Sequence, residues 1–226
     1  MKKQLFSSFI AMGLSLILFA VIIFCKAGQL RVNAAGLSTD DITVNSEYAI
    51  PDGYDWCTYY VVVATNNTGC DISISADFSA LDKDGQVLSK VNDYSEAVKN
   101  GQQFILYGQF KNSDIKRAVK YQYEFEFEKT DNCTYTSVDV DAMDAGGCIE
   151  VSATNYSEHD IQGVGIRTVF LRNGSPVAFD TVNIADVGYT FHGGSTNSQM
   201  VGYNAGQYDN YIMTYTSAGN GTLTDF

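Results

Sequence analysis

The chain has 226 residues, with 14 Lys+Arg against 26 Asp+Glu and a net charge of −12 at pH 7. A surface this acidic repels phosphate backbones and anionic bilayers. Nucleic acid is therefore excluded as a partner, and a membrane can be engaged only through an apolar N-terminal segment. Only 2 Pro stand against 20 Gly, 15 Tyr and 13 Phe, and aromatic richness with many turn glycines favours an all-β chain.

The N-terminus reads as a leader. Lys2 and Lys3 precede an uncharged run from Leu5 to Cys25, and Val32-Asn33-Ala34 offers a small-residue cleavage site before Ala35. Residues 1–34 are expected to be a signal peptide or, since about 20 apolar residues span a bilayer, an uncleaved membrane anchor. Phe24-Cys25 lacks the small residues that precede a lipid-modified cysteine. Either way the remainder is expected outside the cell, free or at its surface. Loss of Lys2, Lys3, Lys26 and Arg31 with the leader takes the net charge from −12 to −16.

The rest of the chain repeats itself. Ala64-Thr65-Asn66-Asn67 recurs as Ala153-Thr154-Asn155-Tyr156, and the same interval leads on to Gly85 in one copy and Gly174 in the other. A fixed internal period marks a duplicated module. The expected organisation is a first module over residues 36–129 and a second over 130–226, joined at Lys129 to Asn132.

Period-two alternation gives the strands. Ile72, Ile74, Ala76, Phe78 and Ala80 alternate with Ser73, Ser75, Asp77 and Ser79, and Asp84-Gly85 then turns the chain. Tyr121 to Glu128 alternates aromatic with polar residues, its aromatics inward and its glutamates outward. First-module strands are expected near 42–45, 58–65, 72–81, 86–91, 103–110 and 119–128, with Asn92 to Gly101 as a loop. Second-module strands are expected near 135–140, 148–154, 161–172, 176–184, 190–201 and 209–217. In the second copy Val164, Ile166, Thr168 and Phe170 face inward after a one-residue slip, which a β-bulge at Gly163 and Gly165 would absorb. The fold class is all-β: two tandem immunoglobulin-like antiparallel β-sandwiches.

One strand changes character between copies. In the second, Ile149, Val151 and Ala153 alternate with polar Glu150 and Ser152. In the first, Tyr60, Val62 and Ala64 alternate with Val61 and Val63, so both faces are apolar. That face, Tyr59, Val61 and Val63, is either covered within its own module or meets the other module or a partner. It is the candidate binding surface.

Phe78-Ser79-Ala80-Leu81-Asp82-Lys83-Asp84-Gly85-Gln86-Val87-Leu88 resembles the signature segment of FxLYD-type domains. So do Val63-Ala64-Thr65-Asn66-Asn67 upstream and Val98-Lys99-Asn100-Gly101-Gln102-Gln103 downstream. Where this chain has Ala80 and Leu81, such domains usually have Leu and Tyr. The resemblance implies small sandwich modules of bacterial secreted and surface proteins, and it carries no catalytic residues across.

Four cysteines follow the leader: Cys57, Cys70, Cys133 and Cys148. Cys57 and Cys70 flank a strand that separates them by about 25 Å, far beyond disulfide reach. A Cys57–Cys133 bridge is one candidate, with local pairs standing equally beside it and free thiols as a further alternative. Asp139, Asp141 and Asp144 form the densest acidic run, a candidate cation site or else a solvated hairpin end; their spacing does not fit an EF-hand. His159 and His192 read as loop residues, and no motif calls for a cofactor. Asn66, Asn132, Asn155, Asn173 and Asn220 each open an N-x-[ST] triplet, which marks a turn or a glycan site. Trp56, beside Tyr54 and Tyr59, reads as a plug for a core or domain junction, with a carbohydrate-stacking platform as the alternative. The functional expectation is a non-catalytic, exported interaction module for a protein or polysaccharide. The alternative is a structural spacer held at the envelope by an uncleaved anchor.

Overall fold

The computed structural model describes residues 37–219, so the leader and its cleavage site lie outside the described residues. The first half contains β1 (Ile42–Pro51), β2 (Cys57–Asn66), β3 (Ile72–Leu81), β4 (Val87–Val98), β5 (Gln103–Lys111) and β6 (Lys120–Lys129). A short 3-10 turn, Tyr135–Ser137, leads into β7 (Val138–Asp144), β8 (Ile149–Asn155), β9 (Ile161–Gln162) and β10 (Val164–Arg172). The chain closes with β11 (Ser175–Ile184), β12 (Thr190–Phe191), β13 (Thr196–Val201) and β14 (Asn210–Thr216). Among the described residues no helix is long and apolar enough to cross a membrane.

The fold is all-β and sandwiched, as the alternation requires. Sheet β1-β2-β5 faces sheet β4-β3-β6, and sheet β7-β8-β13 faces sheet β11-β10-β14. The strand order is the same in both halves, with β9 and β12 as a small extra pair in the second. Tyr60, Val62, Ala64, Ile74, Phe78, Phe104, Leu106 and Phe125 fill the first interior. Ile149, Val151, Ala153, Val164, Ile166, Phe170, Ile184 and Phe191 fill the second. Each fully buried aliphatic or aromatic side chain contributes about 1.5–3 kcal/mol, so either interior outweighs any surface contact described below.

Two local expectations are corrected. Residues 92–98 are not a loop: β4 runs on to Val98, and Ala97 and Val98 are fully buried. A register shift opposite Ile72 and Ile74 lets β4 take up one extra residue and stay paired. The slip at Gly163 is absorbed by a break rather than a bulge: β9 leaves the sheet to pair with β12, and β10 begins afresh at Val164. A Cβ at Gly163 would lie 2.5 Å from the Asn183 side-chain amide, so a larger residue there would have to displace that side chain. The inward assignment of Val164, Ile166, Thr168 and Phe170 holds, since all four are buried.

The repeated Asn-x-[ST] triplets close each sandwich at one end. Asn66 is fully buried and its Nδ2 donates to the carbonyls of Cys70 and Val98, at 2.9 and 3.1 Å. Its Oδ1 accepts from the Thr68 N–H and hydroxyl. Asn155 repeats the device with the carbonyls of His159 and Phe191 and with Ser157. The backbone agrees, since Gly101 N–H donates to Asn66 O and Gly194 N–H to Asn155 O. In each half one side chain thus ties a strand end to a neighbouring loop and to a second strand, β4 of the facing sheet in the first half and β12 of the small extra pair in the second. Buried carbonyls left without a donor cost about 1–3 kcal/mol. Asn66→Ala or Asn155→Ala should therefore lower unfolding free energy by roughly 1–3 kcal/mol in urea titration, measured against Asn45→Ala, an exposed position, which should cost under about 1 kcal/mol.

Candidate functional site

The apolar face of β2 is covered. Val61 and Val63 are fully buried and meet Val169 and Leu171 of β10 and Phe179 of β11, with Ile50, Ile105, Tyr48, Tyr59, Tyr107 and Ile212 around them. Tyr59 and Tyr107 pack on the Phe179 ring at 5.3 and 4.8 Å. The outer face of the β1-β2-β5 sheet therefore lies on the outer face of the β11-β10-β14 sheet. Tyr59, Val61 and Val63 are a junction between the halves and are not open to an outside partner. A glutamate at either valine would bury a charge and disrupt the stack.

A charged clamp pins one side of this junction. Arg167 of β10 reaches Asp93 of β4 with two hydrogen bonds, 2.7 and 2.9 Å. It also donates to the carbonyls of Ile105 and Tyr94, and its guanidinium lies 5.2 Å from the Tyr107 ring centroid. Asp93 accepts the Tyr107 N–H as well. Burial raises the Asp93 carboxyl above the ordinary carboxylate range, against the pull of Arg167 and the Tyr107 N–H. Further along, Gln162 donates to Glu96, Gln102 to Tyr215 O, and Tyr135 to Ala97 O. Neither Arg167 nor Asp93 stood out in the sequence. The available signal was an arginine among the aliphatic outward positions of β10.

The aromatic pair Tyr54 and Trp56 sits in the open. Trp56 is 78% exposed and Tyr54 67%. Trp56 is therefore no plug; of the three aromatics only Tyr59 enters the junction. The pair occupies the β1–β2 turn, with ring centroids 6.2 Å apart and planes at 45°. The turn is built to hold them. Asp52 Oδ1 accepts the N–H groups of Tyr54 and Trp56, at 3.3 and 2.9 Å, and Oδ2 accepts the Cys57 thiol. Asp55 sits at φ 59° and accepts the Asn112 amide. Asn112 N–H in turn donates to Trp56 O, tying the turn to the β5–β6 loop. Two adjacent, mutually tilted rings on an anchored backbone offer apolar faces to an apolar or sugar-ring surface with little loop ordering left to lose.

The other predicted residues stay apart. Asp139, Asp141 and Asp144 lie exposed on β7, and among the described residues no three His, Cys, Asp or Glu side chains converge to hold a metal ion. The four cysteines are free. The candidate Cys57–Cys133 bridge fails because Cys57 opens β2 at the end opposite the linker. Lys129 of β6 pairs with Ile72 of β3, next to Cys70, and so delivers Cys133 to the far end. Cys133 lies beside Asp71; burial, reinforced by that carboxylate, pushes its thiol up to about 12. His192 Nδ1 lies 3.2 Å from Asp160 Oδ2, and this contact draws the half-exposed Asp160 below its usual range. Two of the N-x-[ST] triplets, at Asn66 and Asn155, are the buried ties described above and offer no amide to a glycan.

No family model matches the chain, and no curated protein matches it. Among solved structures, a red sea bream transglutaminase is 11% identical with a TM-score of 0.27, over 83% of this chain and 29% of that one. A YadV chaperone is 9% identical with a TM-score of 0.24, over 80% and 94%. A glycoside hydrolase family 2 β-glucuronidase is 13% identical with a TM-score of 0.17, over 85% and 25%. The chain thus spans less than a third of the transglutaminase. Likeness this slight carries no argument about activity.

Removing one partner of a fully buried ion pair strands the other charge, at a cost of about 3–5 kcal/mol, whereas replacing both can be neutral; Arg167 and Asp93 are 18% and 15% exposed, so the cost here lies below that range. Arg167→Met alone should therefore destabilise the protein measurably at pH 7 in urea titration. The loss should shrink as pH falls and Asp93 takes up its proton, because a carboxyl with a raised folded-state pKa stabilises below that pKa and not above it. Asp93→Asn combined with Arg167→Met should recover most of the stability.

Proposed function

We propose that this chain is a non-catalytic, exported interaction module that binds a polysaccharide or protein at the end of its first sandwich, through Tyr54 and Trp56. The observation that carries this reading is the exposure of both rings on a turn fixed by Asp52, Asp55 and Asn112. Large exposed aromatics on a rigid backbone are the residues that dominate binding energy at recognition surfaces. The leader-like N-terminus and the resemblance to FxLYD-type modules support an extracellular or cell-surface setting, and the repeated strand order supports a tandem of two modules.

The side-by-side packing of the halves weighs against a spacer. Tyr59 lies nearer the free end of β2 and touches Phe179, whereas Gln102, near the linker end, touches Tyr215. The two halves therefore run the same way round and overlap along their length. A stalk gains reach from modules set end to end, and this arrangement forgoes it.

Trp56 is the sole tryptophan of the chain, so its emission reports on the turn alone. Soluble cello-, chito- and xylo-oligosaccharides, titrated in turn, should include one that shifts and saturates the Trp56 emission. Trp56→Ala or Tyr54→Ala should weaken that binding by at least about 2 kcal/mol, roughly 30-fold, with unfolding midpoints unchanged. Binding by calorimetry that survives both substitutions would remove the turn from the reading.

A further inference from the structure

The outer face of the β4-β3-β6 sheet is open, and it is shaped. A groove of about 750 Å³ runs over it near the linker end. Ser73 and Ser75 of β3 form its floor; Tyr94 and Glu96 of β4 line one side, and Glu126, Glu128 and Lys129 of β6 the other. Register places Ser73 opposite Glu128, and Ser75 between Glu126 and Tyr94. Tyr94 is 61% exposed. The shift in the β3–β4 register next to Ser95 bends the sheet there and hollows the face.

Charge and spacing define what fits. Glu96 is engaged by Gln162 of the second half. Asp77, further along β3, is engaged by Lys90 and Asn92. Glu126 and Glu128 are exposed and have no ion-pair partner among the described residues. They are two residues apart on one strand, about 7 Å. That is the repeat of same-face side chains in any extended peptide. Tyr94, across the floor, offers a ring face to an alkyl stem or a cation.

We propose that this groove binds an extended peptide segment with lysine or arginine at alternate positions. Successive cationic side chains meet Glu128 and Glu126, the serine hydroxyls take polar groups of the peptide between them, and Tyr94 packs on a side-chain stem. This surface is separate from the Tyr54–Trp56 turn and stands or falls without it.

The test uses a fluorescein-labelled octapeptide of alternating Lys and Ser, followed by anisotropy on the intact protein at 50 mM salt. Controls are an isomer with its four lysines contiguous and an alternating Glu-Ser peptide. The alternating Lys peptide should bind saturably, at least about fivefold tighter than the contiguous isomer, and weaken with added salt. Glu126→Gln with Glu128→Gln should reduce its affinity about tenfold or more, and Tyr94→Ala severalfold. All three positions are exposed, so unchanged thermal midpoints will separate lost binding from lost folding. Trp56→Ala should leave this binding intact. The proposal is overturned if Asp139→Asn with Asp141→Asn weakens binding equally, since that marks a general acidic field. It is also overturned if the Glu126/Glu128 variant binds normally, or if a chitosan oligomer binds the groove and the peptide does not.

Discussion

The face-to-face contact between the two sandwiches is the constraint on which the rest of the molecule hangs. It removes Val61 and Val63 from solvent, turns both halves the same way round, and decides which faces stay open. Aliphatic burial supplies the adhesion, through Val61, Val63, Val169, Leu171 and Phe179. That adhesion is non-directional. Direction comes from Arg167, whose planar guanidinium satisfies Asp93 and two backbone carbonyls in a single geometry. The hydrophobic patch says that the halves touch; the clamp says how.

Both candidate surfaces are positioned by this arrangement. The Tyr54–Trp56 turn lies at the end of the first sandwich away from the linker, where neither half covers it. The groove lies on the layer of the first sandwich that faces away from the second. The long β4 serves the junction and the groove together, since Asp93 accepts Arg167 while the adjacent Tyr94 walls the groove. A rearrangement of the clamp would thus be felt at the groove through one residue step of strand, and hardly at the turn.

Much of the framework was legible in the sequence, because alternation is a local signal. Ile72–Leu81 begins and ends where its pattern does, and the aromatics of Lys120–Lys129 face inward as their period requires. The apolar outer face of β2 was legible as an anomaly, but its cover was not: Val169 and Leu171 could not be matched to it without knowing that the halves fold side by side. The continuation of β4 past Asn92 was hidden because its polar residues do not mark a loop: Asp93 and Glu96 are polar for their contacts with the second half, and Ser95 is buried. Trp56 was misjudged on composition. Large aromatics are mostly buried, and only the bonds from Asp52 and Asn112 reveal a turn that holds one out. The cysteine pairing failed on a question of direction, since spacing alone does not say at which end of a sandwich a linker leaves.

The junction joins unlike faces: the β1-β2-β5 layer of one repeat meets the layer of the next whose counterpart in the first repeat is β4-β3-β6. A contact of that kind has no internal stop. Repeated identically it would generate an open-ended filament rather than a closed pair. The two outermost layers are unlike the pair that meets at the junction. In the second repeat Glu150 and Ser152 stand where the first has Val61 and Val63, and in the first repeat Asp77 and Ser79 occupy the positions that Arg167 and Val169 hold in the second. Both ends of the stack are thereby polar and rich in like charge. The two halves share their strand order but not the apolar character of these outer faces.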